Sequence, residues 1–280
     1  MSTVLLDVEG PIAYLTLNRP EKRNAINDAM RDRLEEILRD IDGDDSISVV
    51  IIRGAGPSFC SGYDLTAIPG AGGYGPSSRA NSSRPSIAQD RERLRKSIER
   101  WAALWNFRKP TIAQVHGHCI AGGGELAAMC DLTYCADDAL FGHPAGRAIG
   151  IPMTLALWPL KLGAMRAKEL LFTGDLVNGE EAVRIGIANR CFPEAKLEAE
   201  VKAIAKRIAL VPIEALSVHK HVVNRWLEVM GVRTCMAEGA EFNSIFHESA
   251  SAREFAEISR QKGLKAALDW RDSPFDDKSS

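Results

Sequence analysis

Short alternating apolar runs stand at Val4 to Val8 and at Ile12 to Leu17, and Glu9-Gly10-Pro11 between them reads as the turn of a β-hairpin. From Ile26 the spacing changes. Ile26, Met30, Leu34, Ile37 and Ile41 recur every three or four residues, the stripe of an amphipathic helix. Val49 to Ile52 is a continuous apolar run, as in a strand covered on both faces. Ile112 to Val115 and Leu132 to Cys135 repeat that pattern, with a helical stretch from about Gly122 to Met129 between them. Strands alternating with helices predict an α/β chain with crossover units around a mainly parallel sheet. From about Glu194 the pattern is almost all helix: Val201, Ile204 and Ile208, then Ile213, Leu216, Val223, Trp226, Leu227 and Met230, with Pro212 where a new helix begins. Residues 1–193 therefore read as an α/β core. Residues 194–280 read as a helical region that packs on its own core or against another subunit.

Two stretches depart from this rhythm. Between Pro69 and Ser86, twelve of eighteen residues are Gly, Ser or Pro, which reads as a mobile loop, either a lid over a site or a surface insertion. After it, Ile87, Arg91, Leu94, Ile98, Trp101 and Trp105 track a helical stripe, and the mixed charges of DRERLRK read as a solvated face.

Composition narrows the function by exclusion. The 280 residues are 45% hydrophobic and 26% charged, ordinary for a folded chain. A formal net charge of −2 supplies no general field for nucleic acid. No apolar run approaches the roughly 20 residues of a membrane span, and MSTVLLDVEG does not read as a secretory signal. The six cysteines contain no CxxC pair and read as reduced thiols in the cytoplasm. His116 and His118 form an HxH pair without a third ligand at useful spacing, so no metal site is expected.

Two glycine turns carry the candidate chemistry. In His118-Cys119-Ile120-Ala121-Gly122-Gly123-Gly124-Glu125-Leu126, a strand gives way to a helix whose first N–H groups suit a phosphate or the oxyanion of a polarised carbonyl. Ser58-Phe59-Cys60-Ser61-Gly62-Tyr63-Asp64-Leu65 is a second such turn after a buried strand. Two turns from neighbouring strands can direct two backbone donors at one oxygen, as a thioester enolate requires.

These segments, together with Asn18-Arg19-Pro20-Glu21-Lys22-Arg23-Asn24-Ala25-Ile26, Phe141-Gly142-His143-Pro144 and Leu171-Phe172-Thr173-Gly174-Asp175, resemble in order and spacing the crotonase, or enoyl-CoA hydratase/isomerase, superfamily. The resemblance implies a crotonase-type (ClpP/crotonase) spiral of ββα units forming two sheets, followed by a C-terminal helical trimerisation region. It implies an acyl-CoA thioester substrate, with coenzyme A as part of the substrate and no tightly bound cofactor, and a homotrimer or homohexamer. The oxyanion donors map to the backbone N–H groups of Tyr63 and Gly122. Lys22, Arg23, Asn24 and Ala25 match the segment that lies against the CoA nucleotide, and Asp64 matches a residue that braces the turn.

The departure lies in the acid/base pair. Hydratases of the superfamily use two glutamates. The first is present as Glu125, but Ala145 stands where the second is expected, and no acidic residue occurs from Ala145 to Trp158, Met153 included. His143 is a candidate replacement because its intrinsic pKa suits proton transfer, while Arg147 is a candidate anion ligand and a poor base. Each has an alternative, His143 as a satisfied histidine at a strand end and Arg147 as a salt-bridge partner. The leading expectation is enoyl-CoA hydration or the reverse dehydration with Glu125 as acid/base. Isomerisation, thioester hydrolysis or carbon–carbon cleavage on an unusual acyl group, and CoA-thioester binding with little turnover, are the alternatives.

Overall fold

The hairpin forms where its pattern places it: β1 (Val4–Glu9) pairs antiparallel with β2 (Ile12–Leu17), Val4 opposite Leu17. The two strands fare differently. β2 is interior, whereas β1 is the sheet edge and leaves Leu5, Leu6 and Val8 exposed, so only its Val4 joins the core. The computed structural model describes residues 2–66, 86–152, 154 and 157–276, with the side chain of Leu157 outside that description. The glycine-rich loop after Pro69 and the position of Met153 therefore lie outside the described residues, save Ser86 at the loop's end.

β3 (Val49–Gly54), β4 (Thr111–Val115), β6 (Leu132–Ala136) and β8 (Arg190–Phe192) add to β2 in parallel, giving the order β1-β2-β3-β4-β6-β8. β5 (His118–Ile120) and β7 (Leu140–Gly142) form a second, two-stranded parallel sheet. Parallel neighbours need crossovers. α1 (Asp28–Asp42), α2 (Ile87–Asn106) and α3 (Gly122–Met129) supply three of them, and α4 (Leu157–Leu162), α5 (Ala164–Thr173) and α6 (Gly179–Ile185) lie between β7 and β8. The continuous apolar run of β3 is fully buried from Val49 to Ile52, as strands covered on both faces require.

Asn27 caps α1, its side chain accepting the Met30 N–H at 2.9 Å, and the helix buries Met30, Leu34, Ile37 and Ile41. α2 starts on a Ser86–Gln89 capping box. Its inward face is rotated from the sequence expectation: Ile87 is exposed, while Asp90 and Ser97 are buried with Leu94, Trp101 and Trp105. The DRERLRK run is thus only partly a solvated face. Asp90 is 2% exposed because Arg93 and His247 satisfy it, at 2.8 and 2.7 Å.

The last third is helical, as its pattern predicts: α7 (Glu194–Ile208), α8 (Ile213–Val229), α9 (Val232–Phe246), α10 (Ala250–Lys262) and α11 (Leu264–Asp272). α7 and α9 insert Leu197, Val201, Val232 and Met236 into the main core. α8 buries no residue and exposes Val222, Val223, Trp226 and Val229. No described helix is long and apolar enough to cross a membrane.

Candidate active site

The segment from Ser58 to Asp64 is stitched on both sides. Toward the second sheet, Phe59 N–H bonds His116 O at 2.8 Å, Cys60 N–H bonds His118 O at 2.9 Å, and Ile120 N–H returns to Cys60 O at 3.1 Å. Toward the chain that precedes α1, Ile26 N–H bonds Gly62 O at 2.7 Å and Asp64 N–H bonds Ile26 O at 2.8 Å. The amide of Tyr63 lies between those last two bonds. Opposite it, the chain turns sharply at Ala121, whose φ of 50° and ψ of −120° are rarely adopted by a residue with a side chain, and α3 begins at Gly122.

The glycines explain how closely the two turns approach. A β-carbon on Gly62 would stand 3.0 Å from the Ala121 β-carbon and 3.3 Å from the Gly122 nitrogen. One on Gly122 would stand 2.8 Å from the Tyr63 ring, and one on Gly123 would stand 2.4 Å from Cys60 O. Only residues without side chains fit at Gly122 and Gly123. As the first residue of α3, Gly122 carries one of the amides that have no partner within the helix.

These turns open on a cleft of about 350 Å³, which Tyr63, Glu125, His143 and Ala145 all line. Glu125 sits one turn into α3, 1% exposed, and accepts the Tyr63 hydroxyl at 3.2 Å. The Trp101 indole N–H in turn donates to that hydroxyl at 2.9 Å. Burial, followed by the Glu125 charge, raises the Tyr63 phenol well above its usual range.

Ala145 lies in a tight turn, its carbonyl receiving the N–H groups of Ile149 and Gly150 at 2.7 and 3.0 Å. Ala145 lines the same cleft as Glu125, so the position expected to carry a second glutamate lies on the cleft. Asp64 also lines the cleft, but it is tied down by Arg19 at 2.8 Å and by the Thr66 hydroxyl at 2.6 Å. Burial alone would raise the Asp64 carboxyl; the Thr66 and Arg19 hydrogen bonds outweigh it and hold the group below the ordinary carboxylate range.

Two candidates lie off the cleft. Lys22, Arg23 and Ala25 line the cleft, but Asn24 does not: it is wholly buried, accepting Arg19 N–H and donating to Ala55 O and Ser58 O. Its task is to hold the left-handed pair Arg23 and Asn24 (φ 47° and 56°) that presents the basic turn. Arg147 points away from the cleft. Its guanidinium bonds Thr173 O, Asp272 and Asp175 at 2.9, 3.1 and 3.1 Å and lies over the Phe275 ring, the salt-bridge alternative in place of an anion ligand.

His143 lines the cleft and donates Nε2–H to Gly150 O at 3.2 Å, leaving Nδ1 buried without a hydrogen-bond partner. Burial pushes its pKa down to about 4, with the nearby Arg271 adding to the effect, so it stays neutral near pH 7. Its environment thus lowers its basicity relative to the intrinsic value that made it a candidate. His116 and His118 are engaged elsewhere, with Gly56 O and the Ser58 hydroxyl.

The cleft also draws on residues that sequence patterns did not single out. Asn243 of α9 and Leu264, Leu268 and Arg271 near the C-terminus line it. No local signal marks them, since they reach the site only through the packing of the last helices.

The sequence model of the enoyl-CoA hydratase/isomerase family matches residues 7–278. The crystal structure of an enoyl-CoA hydratase from Mycobacterium smegmatis superposes with a TM-score of 0.89 at 32% identity, covering 99% of this chain and 95% of that one. The crotonyl-CoA hydratase of Syntrophomonas wolfei is 30% identical over 276 residues, 97% of each chain. The peroxisomal Delta(3,5)-Delta(2,4)-dienoyl-CoA isomerase of Arabidopsis thaliana is 32% identical over 226 residues, 80% of this chain and 81% of its own. Paired glycine turns over a buried glutamate, a family match along almost the entire sequence and a superposition of the whole fold converge on one assignment: this chain belongs to the enoyl-CoA hydratase/isomerase family, the crotonase superfamily.

Proposed function

We propose that this acyl-CoA enzyme adds water to 2-enoyl-CoA thioesters, or removes it in reverse, with Glu125 as the acid/base. The supporting observation is that Glu125 is a buried carboxylate lining the cleft beside the two glycine turns, while the cleft's other buried carboxylate, Asp64, is tied down by Arg19 and Thr66, with the basic pair Lys22 and Arg23 on the same cleft. In this reading the thioester oxygen sits between the N–H groups of Tyr63 and Gly122. Such donors are each worth on the order of 3–4 kcal/mol when removed, because they face charge that develops only as the enolate forms. Glu125 takes a proton from water, hydroxide adds at the β-carbon, and the protonated Glu125 returns the proton to the α-carbon. Lys22 and Arg23 meet the phosphates of coenzyme A, which enters as part of the substrate.

A second reading, double-bond isomerisation, rests on Ala145. With no carboxylate at position 145 to share the work of Glu125, removal and return of a substrate proton needs no placed water, and an isomerase is among the relatives. Self-association through residues 194–280 fits the exposed apolar side chains of α8, in a trimer or hexamer as the resemblance implies. Six free thiols suit a reducing compartment such as the cytoplasm.

The test is incubation of the wild type and Glu125→Gln with a panel of acyl- and enoyl-CoAs, read by mass spectrometry. Hydration adds one water to the enoyl group, and isomerisation leaves the mass unchanged. The glutamine variant is expected to lose turnover by at least a hundredfold. Turnover equal to wild type would remove Glu125 from the mechanism.

A further inference from the structure

The phenol of Tyr63 stands in a chain of two hydrogen bonds whose direction chemistry dictates. The Trp101 indole nitrogen can only donate, so at 2.9 Å from it Tyr63 Oη is the acceptor. The phenol proton is left to point at Glu125 Oε2, 3.2 Å away. The ring is held as well, packed against Gly122 so closely that a β-carbon there would collide with its Cδ2 and Cε2. Trp101 and Glu125 are 2% and 1% exposed, so neither end of the chain is loosened by solvent.

We infer that the Tyr63 hydroxyl is a positioning residue for Glu125, keeping that carboxylate ionised and oriented in a cleft where Ala145 supplies no second carboxylate. This rests on Glu125 being the acid/base. A buried carboxylate tends to take up a proton, which would disarm it as a base before substrate arrives. A donor aimed at the charged form opposes that tendency, and a phenol that stays protonated across the working pH range provides it permanently. Once Glu125 has accepted a proton, the same hydrogen bond meets a neutral group and weakens, which favours return of the proton to the substrate. The orientation is enforced from behind by Trp101, since the indole N–H blocks the phenol proton from turning the other way.

The test is Tyr63→Phe in the full-length enzyme, which keeps the amide and the ring and removes one oxygen. Its kcat/KM is followed against pH with an enoyl-CoA that the wild type turns over. The acid limb is expected to move up by roughly one to two pH units, the equivalent of a hydrogen bond to a charged group, with KM nearly unchanged. Trp101→Phe leaves the phenol in place and is expected to move the limb in the same direction by less. The double variant Y63F/W101F leaves no orphaned indole N–H and is expected to match Tyr63→Phe, so it decides the matter if the single variant folds poorly. An acid limb that stays in place in the folded variants, even with a lowered melting temperature or kcat, overturns the inference. Retained turnover in Glu125→Gln would instead overturn the acid/base assignment beneath it.

Discussion

The three consecutive glycines that open α3 are chemically identical and structurally unequal, which makes Gly123→Ala and Gly124→Ala a sharp test of the site's geometry. A β-carbon at Gly123 would stand 2.4 Å from Cys60 O, 2.9 Å from the Cys60 β-carbon and 3.1 Å from its carbonyl carbon. Cys60 cannot step back freely. Its N–H bonds His118 O at 2.9 Å, its carbonyl receives Ile120 N–H at 3.1 Å, and its thiol donates to Asn24 O at 3.2 Å. Relief therefore means overpacking, at about 1–3 kcal/mol, plus loss of a backbone hydrogen bond at about 0.5–1.5 kcal/mol. The same displacement moves the Tyr63 turn relative to Gly122, and a misplaced oxyanion donor costs on the order of 10²–10³ in kcat. At Gly124 the nearest atom is Cys119 O at 3.7 Å, an ordinary contact, and φ is not positive. Alanine there is expected to stabilise by about 0.4–1 kcal/mol through the unfolded chain. Thermal unfolding reads the first effect, since each kcal/mol moves the midpoint of a chain this size by roughly 2–4 °C. Loss of the enoyl thioester absorbance reads the second. A Gly123→Ala enzyme with wild-type midpoint and kcat, or a Gly124→Ala enzyme as damaged as its neighbour, would refute the close approach of the two turns.

Two more outcomes follow from the site and its surroundings. His143 is neutral in the fold, its pKa depressed to about 4 by burial; its contribution is therefore complete above the ordinary histidine range and lost as pH falls from about 6.5 to about 4. On the order of 3 kcal/mol is at stake, so unfolding midpoints measured between pH 7 and pH 4 should fall more steeply in the wild type than in His143→Leu; parallel curves would contradict this. Arg147→Met, which removes the guanidinium from Thr173, Asp175 and Asp272, is expected to cost roughly 2–3 kcal/mol of stability and to leave KM for the acyl-CoA within about twofold, because Arg147 lies outside the cleft. A large rise in KM without loss of stability would restore the anion-ligand role.

The local pattern determined a good deal here. Alternation and continuous apolar runs located five strands of the main sheet, though not the short β8, the three-and-four spacing located α1, and the glycine run marked the first turn of α3. Such signals are legible because burial of one face leaves a period in the chain. The five motifs sufficed for the family, and with it for Glu125 and the two oxyanion turns as candidates. They also exposed the alanine at position 145 as the departure that matters.

What only the tertiary structure decided is which distant group each polar side chain meets. Arg147 reads equally well as a ligand or a structural cation until Asp272, 125 residues away, is folded against it. Asn24 belongs to a basic turn in sequence and to the interior in space. Tyr63 carried a role through its amide, but its hydroxyl acquired one only when Trp101 and Glu125, 38 and 62 residues later, arrived on either side of it. Periodicity records that a face is buried and is silent on what covers it; a hydrogen bond depends on the partner and its direction, and both are set by the packing of elements far apart in the chain.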